Sequence, residues 1–243
     1  LTALSAEARR AELATSLAEV TGRIARACAA ADRDPGSVAL VAITKTYPAS
    51  DVALLASLGV TDVGENKDQE AAAKAAAVDA PLRWHFVGQL QRNKAKSVVT
   101  YADVVESVDS VRLATALGAA AARLRERPLD VLIQVSLDGD PARGGAVDAS
   151  SPDPERDLAR IADAIASADG LRLGGVMAVA PRDWEPLRAF DELAGIAARL
   201  RAVHPGATVI SAGMSGDLEQ AVTRGATHVR IGSSLLGMRN TLR

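Results

Sequence analysis

Two hydrophobic rhythms divide the chain. From Ser5 to about Asp32, apolar residues at Leu13, Leu17, Val20 and Ile24 recur every three or four positions, which predicts one long amphipathic helix. Asp34-Pro35-Gly36 ends it. Beyond that point, short apolar, β-branched runs alternate with alanine-rich helical stretches. Eight such runs are readable: Val38–Thr44, Thr61–Gly64, Trp84–Gly88, Asp103–Val108, Val131–Leu137, Leu173–Val179, Val209–Ala212 and His228–Gly232. The second and seventh are weak by themselves. Helical periodicity fills the intervals over Ser50–Leu58, Asp68–Val78, Asn93–Tyr101, Val111–Arg125, Pro154–Ser167, Glu185–Val203 and Gly216–Arg224.

Strands that alternate with helices pair in parallel, because each helix returns the chain to the same edge. Eight repeats in 243 residues predict an α/β fold, a single (β/α)8 TIM-type barrel over 38–239, with an extra N-terminal helix over 1–34, all in one domain. An open doubly wound sheet would want a glycine-rich turn after its first strand. Here that strand runs into Thr44-Lys45-Thr46. The longest loop, Asp138–Asp153, follows the fifth strand on the side where barrels carry their sites, and reads equally as a lid or a disordered insertion.

Composition narrows the function classes. The net charge is −2 and aromatics are 2%, which argues against nucleic acid as a partner. No apolar run approaches a membrane span, and the first 20 residues mix acids and bases unlike a signal peptide. A start at Leu1 reads as a trimmed terminus. One cysteine, Cys28, excludes an internal disulfide and fits a reducing cytoplasm. Lysine is scarce, at positions 45, 67, 74, 94 and 96 only, so the place of each carries information.

Barrel sites form at the C-terminal ends of strands. Those positions hold Lys45, Glu65, Asn66, Gly88, Gln89, Ser136, Met177, Ser211, Ser215, Arg230, Gly232 and Ser233. A lysine leaving a buried strand at the mouth is expected to be desolvated, which favours the free amine and makes it nucleophilic. It is also readable as a loop lysine or as an ion-pair partner of Glu65. The other four lysines fall in helical stretches and are expected on solvated faces. Gly232-Ser233-Ser234 opens a helical turn after the eighth strand, and Ser211 to Gly216 follows the seventh, the usual place for phosphate in a barrel. An amine that traps carbonyls beside a phosphate pocket points to an aldehyde phosphate, as in a carrier of such a cofactor or a Schiff-base sugar-phosphate aldolase.

At these residues the chain resembles the YggS/PROSC family, the pyridoxal 5′-phosphate (PLP) homeostasis proteins. The landmarks are Val41-Ala42-Ile43-Thr44-Lys45-Thr46, Gly64-Glu65-Asn66, Trp84-His85-Phe86-Val87-Gly88 with Leu90-Gln91-Arg92-Asn93-Lys94, Met177-Ala178-Val179, Gly213-Met214-Ser215 and Val229-Arg230-Ile231-Gly232. The match runs from Val38 to Arg239. The resemblance implies a PLP fold type III-like barrel without the β-rich second domain of alanine racemase. It implies a Schiff base between PLP and Lys45, with Arg230 facing the pyridine nitrogen. It places Ser211, Ser215, Gly232 and Ser233 around the phosphate, and Asn66 and Met177 along the ring pocket. The chain departs from the family pattern at Ala212, Gly216, Lys67 and Arg143, which bears on loop behaviour rather than on the Schiff base.

The remaining candidates read more plainly. His85, inside the third strand, is expected to be a satisfied core histidine. His204 reads as a helix-end residue, and His228 alternates with Val229 in the eighth strand. Three dispersed histidines and one cysteine give no metal spacing. Trp84 and Trp184 read as packing residues, and Arg92–Lys96 as a solvated helix start. Function divides between a non-catalytic PLP carrier in vitamin B6 homeostasis and an amino-acid racemase. Racemisation needs proton donors on both faces of the α-carbon, and the second, a tyrosine in alanine racemases, comes from the domain that this chain is expected to lack. The carrier is therefore the expected function: a cytoplasmic monomer that buffers PLP and meets PLP-dependent apoenzymes transiently.

Overall fold

Buried β-branched runs and the helices between them close on themselves. The computed structural model describes residues 5–140, 143–148 and 151–237. Its strands are β1 (Ala39–Ile43), β2 (Asp62–Glu65), β3 (Arg83–Phe86), β4 (Val104–Val108), β5 (Leu129–Gln134), β6 (Leu171–Met177), β7 (Val209–Ser211) and β8 (His228–Ile231). They form one closed parallel barrel in chain order. Closure lies between β1 and β8, where Ala39 to Ala42 register with His228 to Ile231.

The crossovers are α2 (Ala49–Ser57), α3 (Asp68–Ala77), α4 (Ala95–Tyr101), α5 (Val111–Leu124), α6 (Leu158–Ala166), α7 (Pro186–Val203) and α8 (Leu218–Thr223). They follow α1 (Ala6–Ala30), and the short α9 (Ser233–Leu236) comes last. No described helix is long and apolar enough to cross a membrane.

The expected elements are all present, with shifted ends. β5 and β6 each begin two residues earlier than their hydrophobic runs, because Asp130 and Arg172 pair with each other across the sheet rim and hide the strand start from a hydropathy reading. The helix expected from Pro154 begins only at Leu158, after Asp157 caps the Arg160 amide. Part of the Asp138–Asp153 loop is tied down. Ser136 N–H donates to Ala146 O at 2.8 Å, Ala146 N–H donates to Gln134 O at 2.7 Å, and Ala146 is buried. Residues 141, 142, 149 and 150 of that loop, residues 1–4 of the expected N-terminal helix, and 238–239 at the end of the expected barrel lie outside the described residues.

Helix α1 lies against α8, α9 and α2, the flank that carries the loops after β7 and β8. Leu13, Val20, Ile24, Ala27 and Cys28 form its buried stripe. Polar contacts fix its register. Arg9 reaches Asp51 Oδ2 at 2.7 Å and Leu236 O at 3.1 Å, and Arg23 binds Glu219 and donates to Ser215 O at 3.0 Å. The N-terminal helix thereby braces both mouth loops from behind. Leu13 is fully buried. Leu13→Ala is expected to cost about 3 kcal/mol in urea denaturation through lost burial and a residual cavity; a cost below about 1 kcal/mol would show that α1 is not integral to the barrel.

Candidate functional site

The chain leaves β1 through a tight turn. Tyr47 N–H donates to Thr44 O at 3.1 Å, and Thr46 has φ 70°. A positive φ at the third residue alone makes this a type II turn, whose third position ordinarily takes glycine. Lys45 occupies the second position and its side chain is exposed at the barrel mouth. The expected desolvation of Lys45 is therefore not what the structure shows, because the turn lifts the side chain out of the strand's buried surroundings.

The buried amine is instead that of Lys74, which overturns its expected place on a solvated helix face. Lys74 is 6% exposed. Its Nζ donates to Thr44 O at 2.9 Å, Glu65 Oε1 at 2.7 Å and Glu70 Oε1 at 2.7 Å. Glu65 thus pairs with Lys74 and not with Lys45. Glu65 Oε1 also accepts from Thr44 Oγ1 at 2.6 Å, and Glu70 Oε1 accepts from Thr46 N–H at 2.6 Å. Burial pushes the Glu65 carboxyl above its ordinary range despite Lys74. Burial also acts upward on Glu70, but Lys74 and the Thr46 amide outweigh it and hold that carboxyl low. Sequence offered one signal for this cluster, the i,i+4 spacing of Glu70 and Lys74. The alanine-rich α3 has no clear apolar stripe from which burial could be read.

Inside the barrel a second polar network runs from β2 to β8. Arg230 Nη1 donates to Ser211 O and Ser211 Oγ, both at 2.8 Å, and Nη2 donates to Ala178 O at 2.8 Å. Ser211 Oγ donates to Glu106 Oε2 at 2.6 Å. Glu106 Oε1 meets His85 Nδ1 at 2.7 Å, and His85 Nε2 meets Asp62 Oδ1 at 3.0 Å. Burial alone would neutralise these groups, yet their contacts prevail. His85 is desolvated, but Asp62 and Glu106 raise it to about 9. Glu106 is desolvated too, but His85, Arg230 and Ser211 hold it at about 2. Burial lowers Arg230 from its ordinary value, and Glu106 opposes that. His85 is the satisfied core histidine that its place in the strand implied. Ser211 differs from expectation: its hydroxyl is spent on Glu106 and Arg230, so it orients the arginine rather than facing the phosphate loop. Asp62 and Glu106 escaped the sequence reading because single acids within strands carry no spacing signal.

The loops after β7 and β8 do meet. Ser215 Oγ accepts from Ser233 Oγ and from the Ser234 amide, each at 3.2 Å. A Cβ on Gly232 would stand 3.5 Å from Ile43, so this corner borders the end of β1, two residues before Lys45. Gly213, at φ +90°, packs where a side chain would meet Ala221 at 2.6 Å, which fixes the loop's path toward Ser215. Across the mouth, Gly88 closes on Asn66: a Cβ there would lie 2.2 Å from Asn66 O. Asn66 Oδ1 and Glu65 Oε2 are buried without hydrogen-bond partners. Asn66, Glu70, Phe86 and Gln89 line a cavity of ≈ 460 Å³. Met177 is buried against Val104 and Leu132 in the barrel interior, beside Ser211 in register.

An accessible amine, orphaned acceptors at the end of β2 and a hydroxyl pair over a helix start together fit a phosphorylated aromatic aldehyde. Among the described residues no group of His, Cys, Asp and Glu side chains is arranged to hold a metal.

Comparison with known proteins agrees with this geometry. The model of the alanine racemase N-terminal domain family matches residues 16–240. The pyridoxal phosphate homeostasis protein of Mycobacterium tuberculosis is 45% identical over 247 residues, covering 95% of this chain and 94% of that protein. The structure of PipY from Synechococcus elongatus with PLP bound superposes with a TM-score of 0.75 at 31% identity, covering 93% of this chain and 100% of that one. Alanine racemase from Corynebacterium glutamicum shares the fold at 14% identity and a TM-score of 0.69, with 64% of that chain covered.

The interior network has a pH signature. His85 is raised from 6.5 to about 9 on folding, so its contribution is full below 6.5 and is lost as pH rises through about 9. Glu106 is lowered from 4.5 to about 2, so its contribution is full above 4.5 and is lost as pH falls through about 2. The unfolding free energy from urea titrations should therefore decline between pH 6.5 and 9 by an amount on the order of 3 kcal/mol. His85→Gln should be less stable at pH 6, with the gap to wild type narrowing by pH 9; a constant gap would mean that His85 is neutral in the fold.

Proposed function

Because the chain belongs to the alanine racemase N-terminal-domain family, and within it to the pyridoxal phosphate homeostasis proteins, we propose that it holds PLP as a Schiff base on Lys45 and buffers and delivers it without robust catalysis. The observation that carries this reading is the exposed amine of Lys45 at the open mouth, beside the Ser215–Ser233 corner. When bound, PLP supplies an aldehyde that condenses with a primary amine and releases one water. Lys45 provides that amine. Gly232 and Ser233 with Ser215 supply backbone N–H groups and hydroxyls to the phosphate. Asn66 Oδ1 offers its unpartnered acceptor to the ring side.

Arg230 keeps two of its five N–H bonds after its three contacts with Ser211 and Ala178. One of these serves the pyridine nitrogen. A guanidinium donates and cannot accept, so the ring nitrogen stays unprotonated and PLP is a weaker electron sink.

The carrier reading has further support. The two tyrosines of the chain are both engaged: Tyr47 Oη donates to Gly237 O at 2.5 Å, and Tyr101 Oη donates to Asp68 Oδ1 at 3.3 Å. Burial pushes the Tyr101 phenol up, which keeps it protonated and unavailable as a base. Neither offers an opposite-face proton donor of the racemase kind. The solvent-exposed lysine would leave the linkage open to exchange with amines from recipient apoenzymes, which a monomer would meet transiently.

Borohydride reduction of the loaded protein followed by peptide mass mapping tests the site. The reduced cofactor is expected on Lys45, and Lys45→Ala should lose both fixation and the visible absorption band. Pyridoxal, which lacks the phosphate, should load at least tenfold more weakly, given about 1.5–3 kcal/mol for each charge-assisted hydrogen bond before non-additivity. Fixation on another lysine would overturn the assignment, and equal loading of pyridoxal would remove the phosphate corner from it.

Solvent-deuterium exchange at the α-carbon of alanine, serine, glutamate and lysine separates carrier from racemase. Rates far below ordinary turnover are expected, together with restoration of activity to a PLP-depleted enzyme by the loaded protein. Exchange at about 1 s⁻¹ or faster, lost in Lys45→Ala, would make the protein a racemase.

A further inference from the structure

We propose that Glu70 and Lys74 are positioning residues for Lys45, fixing the type II turn from which its side chain projects. The proposal rests on the reading that Lys45 carries PLP and deepens it. Every contact of the cluster with this turn falls on the residues flanking Lys45. Residue 44 is held twice, at its carbonyl by Lys74 Nζ at 2.9 Å and at its hydroxyl by Glu65 Oε1 at 2.6 Å. Residue 46 is held at its amide by Glu70 Oε1 at 2.6 Å. Lys74 bridges Glu65 and Glu70, each at 2.7 Å, so the two grips form one unit.

The grip on residue 46 decides the turn type. Type I and type II turns differ by a flip of the central peptide, here the one joining Lys45 to Thr46. As observed, its N–H points at the Glu70 carboxylate. The flipped peptide would remove that donor and bring the carbonyl round toward the acid. Without Glu70, a β-branched residue at φ 70° would favour the flip, because its own side chain disfavours the left-handed region. The carboxylate therefore supplies what glycine would supply in an ordinary type II turn. Threonine with a carboxylate partner leaves the backbone stiffer than glycine would, and Lys45 projects from a fixed base while its side chain stays accessible. Because Glu70 and Lys74 lie one turn apart on α3, the helix after β2 sets the direction of a residue at the end of β1.

A simpler view makes the cluster an ion pair that only stabilises α3 against the barrel. The two views separate in Glu70→Met, Glu70→Gln and the double variant Glu70→Met/Thr46→Gly. Three quantities are read: amide hydrogen exchange at residue 46 in protein free of PLP, the rate of borohydride-trapped labelling of Lys45 by PLP, and the affinity for pyridoxine 5′-phosphate, which has no aldehyde. Glu70→Met is expected to speed exchange at Thr46 and to slow labelling by about tenfold or more, since misplaced reacting groups lose rate steeply. Its pyridoxine phosphate affinity should fall by no more than about threefold, well short of the loss in labelling rate, as the Ser215–Ser233 corner is untouched. Glu70→Gln keeps an acceptor and should fall between. In the double variant glycine restores the type II preference, and labelling should recover to within about threefold of wild type although the charge is still missing. An unchanged labelling rate in Glu70→Met, or a double variant as slow as the single, would overturn the proposal. Labelling of a lysine other than Lys45 in the wild type would instead sink the parent reading, and exchange at residue 46 would still report on the clamp alone.

Discussion

Taking the Glu106 carboxylate out of water costs several kcal/mol unless opposite charge and hydrogen bonds meet it inside the barrel. His85, Ser211 and Arg230 meet it, and Asp62 meets the far side of His85. Two acids and two bases thereby cancel within the barrel's interior. The contributing residues come from β2, β3, β4, β7 and β8, and Arg230 adds the carbonyl at the end of β6. No single strand pair could satisfy these groups, so the network demands that the sheet close, and it fixes the strands' relative heights once closed. Removing one partner would leave a buried charge unmatched, the costliest defect available to this core, typically about 3–5 kcal/mol.

That network also holds Arg230 in one orientation inside the barrel. Three of its N–H groups are committed to Ser211 and to the carbonyl of Ala178, so the guanidinium plane is set before anything binds. Lys45 is arranged on the opposite plan. Its side chain is exposed, and its order comes through the backbone on both sides, held by Lys74 and Glu70 from outside the barrel wall. In the proposed site a rigid buried cation would be combined with an accessible amine on a braced turn. Helix α1 completes the support through Arg23, which fixes the carbonyl of the serine that faces Ser233.

A carrier and an enzyme place different demands on such a mouth. A racemase must limit water and hold proton donors on both faces of its substrate. Here the lysine is open to solvent and both tyrosines bond elsewhere. The proposed carrier role would put the barrel shared with alanine racemase to a different balance, retention with exchange, in a family whose members are named for pyridoxal phosphate homeostasis.

Periodicity alone determined the eight strands, their parallel order and the leading helix, because buried strands and one-sided helices leave their repeat in the residues themselves. It also drew attention to Lys45, Arg230 and the Ser215–Ser233 corner, since strand ends are where a barrel's chemistry gathers. The clamp and the interior network were decided by tertiary structure. Lys74 lies in an alanine-rich helix whose pattern shows no buried face, and only the packing of α3 beside the end of β1 takes it out of water. Ser211 reads as a strand-end serine beside a phosphate until closure brings Glu106 from β4 within 2.6 Å. Asp62, His85 and Glu106 are about twenty residues apart along the chain, and no local pattern links them. A hydrophobic repeat is a property of neighbours in sequence; the pairing of buried charges is a property of neighbours in space, which only the closed barrel supplies.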